Sequence, residues 1–134
     1  MNRREARKNA FYLVFQIDFH QQEDFDEIKT LFLEQQEKPI QETAFILKEA
    51  EGTKTHLAEI DDMISKNLKG WAKERISKID LAILRLAIYE ICFSQEIPPG
   101  VAVNEAVELA KEFSTEEAPA FINGVLGSII KKVQ

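Results

Sequence analysis

Cations and aromatic side chains are interleaved in the opening stretch MNRREARKNAFYLVFQ. Its cations are Arg3, Arg4, Arg7 and Lys8. On a helical wheel, Arg4, Arg7 and Lys8 project roughly opposite the apolar face, and Phe11 and Phe15 fall in the same outward sector. Cations neutralise phosphates and flat rings stack on unpaired bases, so the pattern predicts contact with single-stranded RNA. The alternatives are a solvated basic end and two phenylalanines that pack in the core.

The charge of the chain is distributed unevenly. The first eight residues hold four cations and one carboxylate, a net charge of +3, whereas the whole chain of 134 residues carries −6. The remainder therefore carries −9, which opposes wholesale binding of a polyanion and restricts any RNA contact to a local surface. Cations in a first helical turn also oppose the helix dipole at a cost of a few tenths of a kcal/mol, roughly, which favours an external role for them.

Residues that could support catalysis or bind a metal are scarce. His20 and His56 are isolated and have no spaced cysteine or histidine partners. Asp61 and Asp62 are adjacent, so on a helix their side chains diverge and cannot act as a catalytic pair. We find neither a phosphate-binding loop nor a dinucleotide fingerprint. The sequence predicts no cofactor, no metal and no enzymatic activity.

Composition is typical of a globular protein of one domain, residues 1–134. The single cysteine, Cys92, excludes an internal disulfide framework. No apolar stretch is long enough for a membrane span and no signal peptide is recognisable, so we expect a cytoplasmic protein without a membrane partner.

Apolar residues recur at steps of three and four throughout, which predicts an all-α fold of six or seven helices. The first helix carries Ala6, Ala10, Leu13, Val14 and Ile17 on one face. The segment from Ile79 to Phe93 is apolar on nearly all sides, as expected for a central helix.

Turn and cap residues predict where these helices end. Asp24 is a possible N-cap, Gly52 and Thr53 are a possible break or kink, and Gly70 is a suitable stop. The segment EIPPG (96–100) is predicted to be a loop. Ser114 with Glu117 is predicted to form a capping box, with Thr115 as the alternative cap.

Motifs in the second half resemble the NusB family of transcription antitermination factors. They are WAKER (71–75), ILRLAIYE (83–90), Ile97-Pro98, VNEAVELAK (103–111) and FINGVL (121–126). The opening RREAR (3–7) resembles the arginine-rich first helix of the same family. The similarity covers residues 2–19 and 71–130, whereas residues 20–70 match only in helical character and length.

The resemblance implies two small helical bundles and no enzymatic activity. It implies binding of single-stranded boxA RNA together with the ribosomal protein NusE. The pair would join the elongating RNA polymerase with other Nus factors and promote transcription of ribosomal RNA operons. Family members can self-associate, which leaves a homodimer open.

By position, the resemblance assigns four cations to RNA phosphates: Arg3, Arg4, Arg7 and Lys8. Phe15 stands where the family commonly has a tyrosine near the RNA. Asp80 and Arg85 fall where family members approach RNA, the alternative being a polar pair satisfied inside the bundle. Phe121 is expected as an exposed aromatic contact, with core packing as its alternative.

Three acids follow one side of a predicted helix: Glu105, Glu108 and Glu112. We expect them to form a solvated face, the alternative being an acidic surface that meets a basic ribosomal protein. Two other functions also stay open for the chain. It could be a relative of the NusB-like domain of ribosomal RNA methyltransferases, which would need a catalytic domain beyond Gln134, or a helical module that binds only protein.

Overall fold

The structure, a computed structural model, describes residues 2–19, 22–35, 41–68, 70 and 73–133. These ranges contain seven α-helices and no β-strand. The helices are α1 (Arg3–Gln16), α2 (Gln22–Glu34), α3 (Gln41–Thr55), α4 (Leu57–Lys66), α5 (Lys78–Ile88), α6 (Pro99–Phe113) and α7 (Ala118–Val133). A 3₁₀ turn (Ile17–Phe19) follows α1, and one turn of π-helix (Tyr89–Phe93) extends α5. The predicted all-α fold is confirmed.

Helix α5 lies at the centre of the molecule. Helices α1, α2 and α3 form an amino-terminal bundle, and α4, α6 and α7 pack with α5 in a carboxy-terminal one. Helix α5 also contacts α1 and α3, so it joins the two bundles. Every residue from Leu81 to Ile88 is buried, as its nearly continuous apolar sequence predicts.

The opening helix is fixed by its cap and by one small-residue face. The Asn2 side chain accepts a hydrogen bond from the Glu5 backbone N–H at 2.8 Å, which satisfies a free donor of the first turn. The predicted apolar stripe is buried: Ala6, Ala10, Leu13, Val14 and Ile17. Because this stripe faces α3 and α5, the remaining faces of α1 are free to carry charge.

Three predicted helix ends differ from the structure. Pro99 and Gly100 form the first turn of α6 rather than loop, because proline lacks only an N–H that the first turn leaves unpaired. Asp24 lies inside α2, which begins at Gln22. Ser114 is the C-cap of α6, and its hydroxyl donates to Asp80 at 2.6 Å, so it does not begin a capping box for α7.

The predicted break in the middle of the chain lies at His56, between α3 and α4, rather than at Gly52. Gly70 follows α4 with φ of +92°, a conformation that favours glycine. His20, Trp71 and Ala72 lie outside the described residues.

Candidate nucleic-acid interface

The four predicted cations of α1 all bind carboxylates from other helices. Three of the cations lie at the surface. The pairs are Arg3 Nε with Glu42 Oε2 at 2.7 Å, Arg4 Nη2 with Glu105 Oε2 at 2.9 Å, and Lys8 Nζ with Glu112 Oε1 at 2.9 Å. The opening segment therefore lies on a surface of paired charges rather than on an isolated positive patch.

The fourth cation, Arg7, is buried. Only 6% of its side chain is exposed, and its guanidinium binds both carboxylate oxygens of Glu90, with Nε to Oε2 at 3.0 Å and Nη2 to Oε1 at 3.0 Å. Its Nη1 lies 3.4 Å from Glu105 Oε1. The expectation that Arg7 lies on the exposed sector is wrong, because Glu90 draws it into the junction of α1 with the π-turn. Its contact with an RNA phosphate stays a prediction.

A second buried carboxyl borders this ion pair. Glu49 on α3 is 2% exposed, and its Oε1 has no hydrogen-bond partner. Burial, together with a hydrogen bond to Glu90 and the charge of that residue, raises the pKa of Glu49 to about 10. Burial and the neighbouring Glu90 thus favour the neutral, protonated form of Glu49 beside the Arg7–Glu90 pair.

The three acids predicted to form a solvated face on α6 have cationic partners. Glu105 and Glu112 bind α1, and Glu108 accepts a hydrogen bond from Lys111 at 3.4 Å. The side chains of these acids, with Arg4, Arg7 and Lys8, line a surface cavity of about 320 Å³ between α1 and α6. The expectation of a purely solvated face is wrong for Glu105, whose side chain is only 12% exposed.

The aromatic residues of α1 divide between core and surface. Phe11 is buried and stacks on Phe113 with ring centroids 5.2 Å apart. It therefore packs in the core, which was the alternative to base stacking. Phe15 is half-buried, with its ring 5.1 Å from that of Phe19. The exposed rings are Tyr12, at 48%, and Phe19, at 53%.

Sequence reasoning missed Tyr12 and Phe19. The available signal for Tyr12 was its spacing, because it lies four residues after Lys8 and so on the same face of α1. Phe19 follows the helix in a 3₁₀ turn, where a helical wheel no longer predicts direction.

Asp80 and Phe121 line one small cavity of about 240 Å³, with Arg75 and Thr115 among its other residues. Phe121 is half-buried and packs against the hydrophobic core. Asp80 accepts the hydroxyl hydrogen bond of Ser114 described above. The structure therefore brings these two predicted contacts together, and their role at RNA stays a prediction.

Arg85 lies away from that cavity, in a buried ion cluster. Its Nε and Nη2 bind the two carboxylate oxygens of Asp61 at 2.8 Å each, and its Nη1 binds Asp18 at 2.8 Å. Asp80 and Arg85 are each satisfied inside the protein, as the structural alternative required, but with other partners rather than with each other. RNA contact by Arg85 also stays a prediction.

The last turn of α6 connects the α1 surface to the Asp80–Phe121 cavity. Three consecutive residues do so: Glu112 binds Lys8, Phe113 stacks on Phe11, and Ser114 bonds Asp80. The end of α6 therefore contacts both α1 and a residue that lines the cavity.

Other kinds of site find little support among the described residues. No helix in the described ranges is long and apolar enough to cross a bilayer. No group of three or more His, Cys, Asp or Glu in that part of the chain could hold a metal ion. His56 stacks on the Phe93 ring at 4.0 Å.

Several known proteins that resemble this chain in sequence or structure are NusB proteins. The transcription antitermination protein NusB of Clostridium novyi is 45% identical over 133 residues, covering 98% of this chain and 99% of that protein. A solved structure of NusB from T. maritima has a TM-score of 0.84 and 34% identity, covering 98% of this chain and 92% of the other. A crystal structure of antitermination factors NusB and NusE in complex with dsRNA matches with a TM-score of 0.82 and 27% identity. The match covers 97% of this chain and 96% of the other.

The sequence model of the NusB family matches residues 4–131, which include α1, the central helix and the FINGVL motif. This range is nearly the whole chain. The chain belongs to the NusB family.

Proposed function

We propose that this chain is a non-enzymatic transcription antitermination factor of the cytoplasm that binds boxA RNA together with NusE. Residues 1–134 act as one RNA-binding domain, which joins the elongating RNA polymerase with other Nus factors at ribosomal RNA operons. The observation that carries the proposal is the match, over nearly the full chain, to NusB proteins and to a NusB–NusE–RNA complex.

The geometry supports a defined contact surface for this RNA. Arg4 and Lys8 lie on α1 at the surface, where phosphates can reach them, and Tyr12 presents an exposed ring one turn beyond Lys8. Phe15 and Phe19 continue the aromatic surface at the carboxyl end of the helix. Cations beside stacking rings are the combination that single-stranded RNA requires.

A binding titration tests the proposal. Labelled boxA RNA, a scrambled RNA and a boxA duplex are titrated with the protein at several salt concentrations, with and without NusE. We expect preferential binding of single-stranded boxA that strengthens when NusE is added. Changing Arg4 and Lys8 to Gln removes two phosphate contacts, so the slope of log affinity against log salt should fall by about 1.4.

A second double variant, which removes the same number of positive charges elsewhere on the chain, provides the control. Lys131 and Lys132 lie exposed at the end of α7, outside the predicted contact surface. Changing both to Gln should leave the salt slope within error of the parent. Equal effects of the two double variants would contradict the assigned surface, and no preference for boxA with NusE present would favour a helical module that binds only protein.

A further inference from the structure

The cations assigned to RNA already have anionic ligands in the free protein. We propose that Glu112, with Glu105 and Glu42, is an internal competitor that RNA phosphates must displace from α1. The acidic face of α6 thereby lowers the affinity of the protein for any polyanion. This inference rests on the proposed function, because it concerns the same cations.

The ion pairs of α1 differ in how easily an external anion can replace them. Arg7 and Glu90 are 6% and 1% exposed, so this is the pair that phosphate reaches least easily. Lys8 and Glu112 are 30% and 46% exposed, whereas Arg4 is 57% exposed and its partner Glu105 is 12% exposed. Exposed pairs contribute little stability and exchange with competing ions, whereas buried pairs hold their geometry.

Each exchangeable carboxylate imitates a phosphate in position and charge. It binds its cation directly, at 2.7 to 2.9 Å, which is the range of a charge-assisted hydrogen bond. The hydrogen bond with Glu112 raises the pKa of Lys8, and that with Glu105 raises the pKa of Arg4. The cations thus stay charged while their field is cancelled locally.

Lys8 and Glu112 give the cleanest test because they form an ion pair with each other, whereas Glu105 also contacts the buried Arg7. We expect Glu112→Gln to raise the affinity for boxA RNA by about two- to fivefold at low salt, the range of an exposed ion pair. The gain should shrink as salt screens the competing carboxylate.

Glu108→Gln is the matched control. Glu108 lies on the same helix, one turn before Glu112, and pairs with Lys111 rather than with α1. Glu108→Gln removes the same charge as Glu112→Gln. Its effect on affinity therefore measures how much the loss of any carboxylate relieves the long-range repulsion of RNA. In the parent protein, Glu112→Gln should raise the affinity for boxA RNA more than Glu108→Gln does. In a Lys8→Gln background the two gains should be equal, because Glu112 then has no cation to bind.

Three results would overturn the inference. If Glu112→Gln and Glu108→Gln have equal effects while Lys8→Gln still weakens binding, the proposed function stands and the competitor role fails. A loss of affinity in Glu112→Gln would make Glu112 a positioning residue that presents Lys8 to RNA. If Lys8→Gln leaves boxA affinity unchanged, the proposed contact surface fails and this inference fails with it. Unchanged helical circular dichroism would confirm that each variant is folded.

Discussion

At the scale of single residues, Arg7 differs from the other cations of α1 because it is buried and holds the helix in place. Its guanidinium is fixed between Glu90 and Glu105, so it holds the helix against the π-turn and α6. Arg4 lies three residues before Arg7 and shares Glu105 with it, whereas Lys8 lies one residue after Arg7 and binds the exposed Glu112. Because the anchor is buried, its neighbours can exchange their partners without moving the helix.

Glu49, beside this anchor, makes stability depend on pH. Its pKa lies at about 10 in the folded chain, well above the ordinary value of 4.5. The retained proton therefore stabilises the fold fully below pH 4.5, and this contribution is lost as pH rises through the folded pKa. The limiting slope is about 1.4 kcal/mol per pH unit.

We expect Glu49→Gln to become more stable relative to the parent as pH rises from 6 to 9, since the amide carries no proton to lose. Urea denaturation at several pH values measures this difference. Glu90→Gln is the comparison, because it removes the carboxylate that binds Arg7 and should destabilise the fold across the same range. Parallel stability curves for the parent and Glu49→Gln would contradict the buried, protonated acid.

The residue types of the site could be predicted from the sequence, but their partners could not. The opening cations are evident from composition, yet Glu90 lies 83 residues from Arg7 and Glu112 lies 104 residues from Lys8. Pairing over such separations depends on how α1 packs against α6 and the π-turn. Nothing in the local pattern around Arg7 distinguishes it from its exposed neighbours.

At the scale of helices, one close approach fixes how α3 meets the π-turn after α5. A Cβ added to Gly52 would overlap the ring of Tyr89, so only glycine allows the present contact. Tyr89 is 5% exposed and precedes Glu90, the partner of Arg7. The contact therefore also supports the position of the Arg7 anchor.

Gly52→Ala should lower the free energy of unfolding by about 1 to 3 kcal/mol, because the Tyr89 ring has to shift within a packed interface. Gly124→Ala is the matched control: Gly124 lies in α7, and an added Cβ there would meet nothing within 4 Å. Alanine in that open helical position should be neutral or stabilise by up to about 1 kcal/mol. Thermal or urea unfolding measures both, and equal effects would contradict the close packing.

The helices themselves were largely predictable, because the period of apolar residues is a local signal. It indicated the buried face of α1 and the buried segment from Leu81 to Ile88 of α5. Signals at helix ends were weaker, since the same residue type serves two purposes. Ser114 could begin a helix or end one, and Pro99 could break a helix or start one.

At the scale of the whole molecule, Arg85 joins segments from both bundles. From α5 it binds Asp61 in α4 and Asp18 in the turn after α1. Partial burial raises the pKa of Asp18, but the hydrogen bonds and charges of Arg85 and Lys78 outweigh it and hold the pKa below its usual value. The stability that Asp18 contributes is therefore present above its usual pKa and lost as pH falls through the lowered value.

Because α5 and Arg85 link the two bundles, we expect residues 1–134 to unfold in one cooperative transition. Arg85→Met should keep the apolar stem but leave Asp61 without its cation and Asp18 with Lys78 alone, lowering the free energy of unfolding by about 3 kcal/mol. Lys78→Met is the control, since Lys78 binds the same Asp18 at 3.2 Å from a side chain 58% exposed, and should change the midpoint little. Circular dichroism and native-state hydrogen exchange follow the transition. Two separate transitions in the parent would contradict a single unit, whereas equal midpoint losses in the two variants would contradict a joining role specific to Arg85.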